Sequence, residues 1–411
     1  MKKSAKHFIY ALDIGCKKLT LAACEVNPKD SAGSILIETL DSRGIFKGVV
    51  NDLAVLSNSV QQLFEKMETR CNAKADQVAL SINGNYINAR NSAAAIALSE
   101  RGSRSITRRD IERLNSQART LGLELDETLL HEYPQGYSID RHQTTLNPFG
   151  LHGRKLEVDL LLICAHRGYI ENITEAVEQA GVDVVNVVFS GVAAAEAVLS
   201  PDEKQKGVLL IDIGDVLTGV LMFKDGAVRK LNVLSFGGKN LSEIIANYCK
   251  ISVELADEIK RSSVEIGREI DESEEVMIRS EEAYRPIRKK DLALVIQPEI
   301  DKFIGMLKSI IFEKESANPS GARIVVTGGC SLLEGLLEKM EHDLGLPVKM
   351  GITKRISDIP VSKAPAYASA IGLLYLQKEN YIDNRLKLQA QGKNKIARVL
   401  DYITTLYQDY F

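Results

Sequence analysis

Two stretches far apart in the chain are written in the same way: "YALDIGCKKLTLAACEV" from Tyr10 and "LLIDIGDVLTGVLMF" from Leu209. Each is a short apolar run ending in Asp-Ile-Gly, then a brief interruption, then a second apolar run rich in β-branched and small residues. Apolar runs of this length bounded by glycine read as buried strands, so each copy predicts a hairpin with an aspartate at the end of its first strand. A chain that carries this hairpin twice is constrained to fold as two related units.

The surrounding pattern repeats as well. At the start of the chain the sequence predicts strands at about 8 to 13, 18 to 26 and 35 to 42, separated by Gly15 and by "NPKDSAG". A helix follows at about 51 to 71, with Val55, Val60, Leu63, Phe64 and Met67 at helical spacing and Asn51 as its N-cap, then a strand at "QVALSI". The second half repeats the β-β-β-α order through "GVLLIDIG", "LTGVLMF", "AVRKLNVLSF" and a helix opening near Gly238. This is a degenerate internal duplication. Between the halves lies an inserted unit, with a helix at "TRRDIERLNSQARTL" and strands at "HEYPQGYSID" and "KLEVDLLLICA". A third glycine turn sits in "RIVVTGGCSLLEGLLEKM", where a strand is expected to run into Gly328-Gly329 and then a helix. A helix at "APAYASAIGLLYLQ", a polar stretch at about 378 to 392 and a last periodic segment follow.

Composition narrows the function. A length of 411 residues with 45% apolar content predicts two or more compact lobes. The formal charge of -3, from 52 basic and 55 acidic residues, gives no global attraction to nucleic acid. Six cysteines without a CxxC or a histidine at metal spacing read as reduced thiols of a cytosolic protein and not as a zinc site. No window reaches the roughly 18 to 20 apolar residues of a membrane span, and Asp13 interrupts what would otherwise open like a signal peptide. No Ser-His-Asp or Cys-His arrangement stands out, and none of the six scattered histidines is assigned a role.

The turns can carry chemistry. An aspartate at a strand end holds hydrated Mg²⁺ while the backbone N–H groups of the following turn face phosphate. Two such hairpins facing each other would clamp a nucleotide's phosphates from both sides. Strand, glycines and helix start at Gly328-Gly329 would hold phosphate or sugar on backbone amides.

With these turns in this order, the chain resembles the actin, sugar kinase and chaperone ATPase superfamily, and within it closely resembles the FtsA family of bacterial cell-division proteins. "HEYPQGYSIDRHQTTLNPFGLHGRKLEVDLLLICA" is similar to the segment with which that family replaces a subdomain of actin. "VFSGVAAAEAVLSPDEKQKGVLLIDIG" resembles its interlobe connection and "PAYASAIGLLY" its closing helix. The resemblance implies an α/β, actin-like two-lobed fold with duplicated β-β-β-α-β units and an FtsA-type inserted subdomain. Its implied parts are a first lobe core at 1–82 and 163–199, the insertion at 83–162, and a second lobe core at 200–238 and 318–377. An upper subdomain at 239–317, a polar linker at 378–392 and a C-terminal helix at 393–411 complete it.

It further implies ATP and Mg²⁺ as ligands. Asp13, Gly15, Cys16, Lys17 and Lys18 fall in the first phosphate turn, Asp212, Gly214, Asp215 and Thr218 in the second, and Gly328 and Gly329 in the adenosine turn, with Asp13 and Asp212 toward the metal. Asp257 and Lys260 match the family's Glu and Lys beside ribose and adenine, with Asp in place of Glu. The departures are informative. The family's first turn usually has Thr or Ser where this chain has Cys16, and its second turn usually reads DIGGGTTD where this chain reads DIGDVLTG. Cβ atoms stand where backbone must approach phosphate, and Asp215 adds negative charge beside a polyanion. At about 4 Å and an effective dielectric near 20, one like-charge pair costs roughly 4 kcal/mol. Weak or slow nucleotide handling is therefore expected.

Two further segments bear on partners. In "KNKIARVLDYITTLYQDYF" the residues Ile396, Val399, Leu400, Ile403, Leu406, Tyr407, Tyr410 and Phe411 form a stripe of period 3.6. The resemblance implies an amphipathic membrane anchor on the inner face of the cell membrane at the division site. Arg285, Arg288, Lys289 and Lys290 form a basic cluster that the resemblance places in the subdomain receiving the C-terminal peptide of the tubulin-like FtsZ. The implied function is anchoring FtsZ filaments to the membrane, self-association linked to nucleotide, and recruitment of later division proteins. Two alternatives stand beside it: an actin-like scaffold of pilus or secretion machinery, and a sugar-kinase-type phosphotransferase, against which the altered second turn argues.

Overall fold

The computed structural model describes residues 7–26, 34–267, 271, 273–280, 283–313, 323–353 and 359–382. The first repeat opens with the antiparallel meander β1 (Phe8–Ile14), β2 (Lys18–Glu25) and β3 (Ile35–Asp41). A short hairpin, β4 (Ile45–Phe46) and β5 (Val49–Val50), follows and was not visible in the sequence pattern. Then come α1 (Leu53–Cys71) and β6 (Gln77–Ile82), which pairs parallel with β1. The N-cap of α1 is Asp52 and not Asn51: the Asp52 carboxylate accepts the Val55 N–H at 3.0 Å. A carboxylate at that position also complements the helix dipole.

The inserted unit comprises β7 (Ile87–Ala97), β8 (Arg104–Ser105), α2 (Arg108–Gly122), β9 (Glu127–Ile139), β10 (Gln143–Thr145), β11 (His152–Gly153) and β12 (Lys155–His166). Its four-stranded sheet runs β10-β9-β12-β7. The near-continuous apolar run of β12 has a reason. Leu156, Val158, Leu160, Leu162 and Cys164 face one way, into a core with Leu114 and Ala118 of α2. Leu161, Ile163 and Ala165 face the other way and join the core of the first lobe. One strand with period-two alternation thereby serves two cores.

The chain returns through α3 (Arg167–Gln179) and β13 (Asp183–Phe189), which completes a first-lobe sheet of order β13-β6-β1-β2-β3. It crosses by α4 (Ser190–Val198) and α5 (Pro201–Lys206) to the second meander, β14 (Val208–Ile213), β15 (Thr218–Lys224) and β16 (Ala227–Leu234). The helices α6 (Gly238–Cys249) and α7 (Val253–Ser263), the hairpin β17 (Glu275–Ser280) and β18 (Ala283–Arg288), and α8 (Lys289–Ile311) build the upper part. Strand β19 (Arg323–Thr327), α9 (Leu336–Leu344) and β20 (Val348–Met350) close the second sheet as β16-β15-β14-β19-β20. Its order mirrors the first strand for strand, so the duplication read from two turns extends through both sheets.

Two expectations at the end of the chain change. Gly328-Gly329 does not run straight into a helix: a 3-10 turn at Gly329–Leu332 intervenes and α9 begins only at Leu336. The segment expected as one closing helix opens as a 3-10 turn, Val361–Tyr367, and then runs as helix over 368–382, five residues into the stretch read as polar linker. The stripe from Ile396 to Phe411 lies outside the described residues. No helix among the described residues is long and apolar enough to cross a membrane.

The closing helix packs on α4 at Gly372, where a Cβ would collide with the Ala193 carbonyl oxygen. Gly372→Ala is expected to cost about 3 kcal/mol or more, because overpacking at a backbone contact has no side chain to move aside. Soluble yield and thermal unfolding of the variant read this directly; a variant as stable as the parent would show that the two helices separate easily.

Candidate functional site

Pleating sets the direction of the two turn aspartates. Leu209, Ile211 and Ile213 pack on the α6 and α8 side, whereas Val208 and Leu210 face the core shared with the first lobe. Asp212 alternates with the latter set and so faces the first lobe. In the first lobe Asp13 sits opposite Thr20 on β2 and Ser81 on β6, and the Ser81 hydroxyl donates to its carboxylate at 2.5 Å. Asp212 receives Ser369 Oγ at 3.5 Å from the closing helix. Burial pushes the Asp13 carboxyl up to about 6, against the Ser81 bond and Lys18. Burial and then the Asp13 charge push Asp212 up to about 7. A buried carboxyl whose proton affinity is raised further by a neighbouring carboxylate is a position where a cation would be accepted in place of the proton.

Gly15 and Lys18 shape the first turn. Ser42 Oγ donates to the Gly15 carbonyl at 2.5 Å, and the Ser42 N–H to the Lys17 carbonyl at 2.9 Å. The Lys18 ammonium lies 3.5 Å from the ring centre of Tyr367, and burial lowers it to about 8 despite Asp13. Cys16 is half-buried; burial raises its thiol, against backbone hydrogen bonds from Gly48 and Lys47 of the β4–β5 hairpin. This hairpin, missed in the sequence, is the wall behind the first turn.

The second turn is closed in its own way. Val216 and Leu217 are buried, and the Gly214 N–H donates to the Leu217 carbonyl at 3.0 Å. The first two N–H groups of α6 are taken by this turn: Gly238 donates to the Gly214 carbonyl at 3.0 Å and Lys239 to the Asp215 carbonyl at 2.7 Å. Gly237 permits that approach, since a Cβ there would overlap the Asp215 carbonyl group. The Asp215 carboxylate lies within electrostatic range of three lysines and of Asp257. Burial raises its carboxyl, while Lys17, Lys260 and Lys239 draw it down. Thr218, expected to face phosphate, does not: it pairs with Ile213 on the opposite face from Asp212, and its hydroxyl donates to the Phe236 carbonyl at 2.9 Å.

The third turn reaches the same place. Gly328, at φ +89°, brings its backbone against Asp212, whose Oδ1 would lie 2.5 Å from an added Cβ. No side chain tolerates both demands. At Gly329 nothing lies within 4 Å of where a Cβ would point, so this face of the turn is open. Asp257 and Lys260 are together but engaged. Lys260 Nζ donates to the Gly238 carbonyl at 2.6 Å, Ser242 Oγ at 2.8 Å and Asp257 Oδ1 at 2.8 Å, which saturates its three protons. Lys260 therefore fixes α7 to α6 and does not offer itself to a base. Asp257 also receives Ser242 at 3.2 Å, Arg261 at 2.5 Å and, from the other lobe, Lys17. Burial opposes its charge, but the bonds from Lys17 and Lys260 hold the carboxyl well below the usual range.

The residues fit a hydrated cation with phosphate. Asp13 and Asp212 converge, Gly329 leaves room, and the Thr20 hydroxyl, on the Asp13 face of its sheet, is buried without a hydrogen-bond partner. Thr20, Ser81, Ser242, Ser369 and Tyr367 were not singled out in the sequence. Strand register sets Thr20 and Ser81 beside Asp13, and long-range packing brings Ser369 to Asp212, Ser242 to Asp257 and Tyr367 to Lys18. The basic cluster lies apart on the β17–β18 hairpin and α8: Arg285 is exposed, Arg288 donates to Asp291 at 2.9 Å and Lys289 pairs with Glu274 at 2.8 Å.

Two lobes of one strand order, meeting at facing carboxylate turns, define an actin-like protein. Solved structures of that shape superpose on it: the PilM–PilN type IV pilus biogenesis complex with a TM-score of 0.64 at 17% identity, covering 90% of this chain and 98% of that one. MreB 5 of Spiroplasma citri bound to AMPPNP gives 0.55 at 12%, covering 94% and 99%. The family model "Cell division protein FtsA" matches residues 209–372 and that of the SHS2 domain inserted in FtsA matches residues 84–164, and the chain belongs to the FtsA family. The cell division protein FtsA of Escherichia coli (strain K12) is 28% identical over 400 residues, 95% of this chain and 94% of that protein.

Proposed function

We propose that this cell-division protein tethers FtsZ filaments to the inner face of the cytoplasmic membrane, self-associates in a nucleotide-linked manner, and recruits later division proteins with slow ATP turnover or none. The observation that carries the reading is the cleft itself. Asp13 and Asp212 converge as a cation site while Asp215 and the buried Val216 and Leu217 close the turn that would embrace the terminal phosphate.

Bound Mg²⁺ would supply charge neutralisation for the phosphates. Asp13 and Asp212 would orient its water shell, Lys18 would meet phosphate from the first turn, and the open backbone of Gly329 would take the nucleoside. The Asp215 carboxylate opposes accumulation of negative charge in that turn, which favours a slowly exchanging switch over rapid hydrolysis. For the filament partner, the β17–β18 hairpin offers exposed Tyr284 (65%) and Met277 (58%) on one face, with exposed Arg285 at its edge on the other. That combination suits a peptide carrying both acidic and apolar residues.

The test is recruitment of fluorescent FtsZ filaments to vesicles of phosphatidylethanolamine and phosphatidylglycerol by the full chain. Truncation before Lys393 is expected to abolish vesicle binding. Arg285→Glu is expected to leave vesicle binding intact and to weaken affinity for the FtsZ C-terminal peptide roughly tenfold, the cost of reversing one charge-assisted contact. Undiminished vesicle binding by the truncated chain, or an unchanged peptide affinity, overturns the corresponding half.

A further inference from the structure

Two lysines cross the cleft in opposite directions. Lys17, from the first turn, pairs with Asp257 on α7 of the second lobe. Lys239, from the start of α6 in the second lobe, places its ammonium 5.1 Å from the ring centre of Phe46, on the β4–β5 hairpin of the first lobe; Lys47 lies over the same ring at 5.5 Å. Both turns that would hold phosphate are thereby bridged to the opposite lobe by a cation. Building on the nucleotide reading above, we infer that Lys17 and Lys239 are reciprocal clasps that hold the cleft closed without ligand, and that a polyphosphate entering the cleft releases them by drawing both ammonium groups to itself.

The geometry makes these contacts exchangeable. The Lys17 side chain is 41% exposed, whereas the Asp257 side chain is 11% exposed and already bonded to Lys260, Arg261 and Ser242. Asp257 thus remains neutralised when Lys17 leaves, and removal of Lys17 strands no buried charge. Phe46 is 47% exposed and keeps Lys47 when Lys239 leaves. Each lysine is the replaceable member of its cluster, and each lies within electrostatic range of Asp215 on the second turn. A polyphosphate presents several negative charges where Asp257 presents one carboxylate and Phe46 only a ring quadrupole, so it outcompetes both. By contrast, the neutral bond from Asn85 Nδ2 to Ser235 Oγ at 2.9 Å, also between lobes, offers no cation and is expected to persist.

The test is hydrogen–deuterium exchange on the full chain, parent and Lys17→Met, without ligand and with inorganic tripolyphosphate, which carries the phosphates and no nucleoside. Without ligand, Lys17→Met is expected to speed exchange in α7 about fivefold, the effect of losing one partly exposed ion pair. Lys239→Met is expected to do the same for residues 44–50, giving a second, independent reading on a half-buried side chain. Tripolyphosphate is expected to speed exchange of α7 in the parent toward the Lys17→Met level while slowing it in residues 15–18. Unaltered α7 exchange in Lys17→Met overturns the clasp whatever nucleotide does. Faster exchange in the variant with no response of the parent to tripolyphosphate or to ATP overturns release, and with it the nucleotide reading, leaving a permanent staple between the lobes.

Discussion

At pH 8 without divalent cation, Asp212→Asn is expected to unfold about 2 °C above the parent, and the difference is expected to vanish as the pH is lowered toward 4. Both cleft carboxyls bind protons more tightly folded than unfolded: Asp13 is pushed up to about 6 and Asp212 to about 7, from 3.8. The folded state therefore holds extra protons between pH 4 and 7, and stability falls as the pH climbs through that window. The burden is complete above about 7 and absent below 3.8. At about 1.4 kcal/mol per unit the ceiling for Asp212 is about 4 kcal/mol. The asparagine amide keeps only Ser369 at 3.5 Å, which reduces the net gain to about 2 kcal/mol and sets the size of the expected shift. Millimolar Mg²⁺ is expected to stabilise the parent at pH 8 and to do little for the variant, because a cation relieves the same repulsion that the substitution removes. Thermal unfolding from pH 4 to 8, with Mg²⁺ or with chelator, checks each part. A variant no more stable than the parent at pH 8 would mean that the two charges do not face each other.

Removing the charge of Asp215 is expected to tighten ATP binding by about one to two orders of magnitude. One bare like charge at about 4 Å and an effective dielectric near 20 would cost roughly 4 kcal/mol. Here Lys17, Lys260 and Lys239 offset part of it, so the gain on substitution is smaller than that ceiling. Asp215→Asn isolates charge, and Asp215→Gly removes the side chain as well. Calorimetric titration of ATP with Mg²⁺ into parent and both variants separates the effects. Tightening in Asn and no more in Gly assigns the penalty to charge; tightening only in Gly assigns it to bulk against the phosphates. No change in either would place the obstacle in buried Val216 and Leu217 and make the cleft a scaffold feature.

Much of this protein is legible because its information is local. Short apolar runs bounded by glycine predict β1, β2, β14 and β15, and the repeated Asp-Ile-Gly fixes where each hairpin turns. Since Asp13 and Asp212 each sit one residue before a strand end, their importance can be read before any fold is known. Short or irregular pieces escape that logic. The β4–β5 hairpin has only two residues per strand, and the 3-10 turns after Gly328 and before residue 368 follow no helical period. Thr218 illustrates a subtler failure: a hydroxyl in the right turn but on the wrong side of the pleat, with Phe236 as its acceptor. His131, assigned no role, accepts the Phe189 N–H at 3.0 Å and pins the inserted sheet to the first lobe; burial lowers it to about 4 and keeps it neutral for that task.

The sequence by itself determined the duplication, the two carboxylate turns and the inserted unit, since each is written in neighbouring residues whose spacing follows from backbone geometry, while the alteration of the second turn was legible only against the pattern of the family that the chain resembles. Tertiary structure alone decided what those parts meet. Lys17 and Asp257 are 240 residues apart, and nothing in either neighbourhood indicates that a first-turn lysine would answer a second-lobe carboxylate. The saturation of Lys260 and the cationic setting of Asp215 depend equally on the crossing of α6, α7 and both turns. Periodicity specifies which face of an element is buried, but the long-range packing of two lobes determines which charges share the resulting low-dielectric space, and that space sets their chemistry.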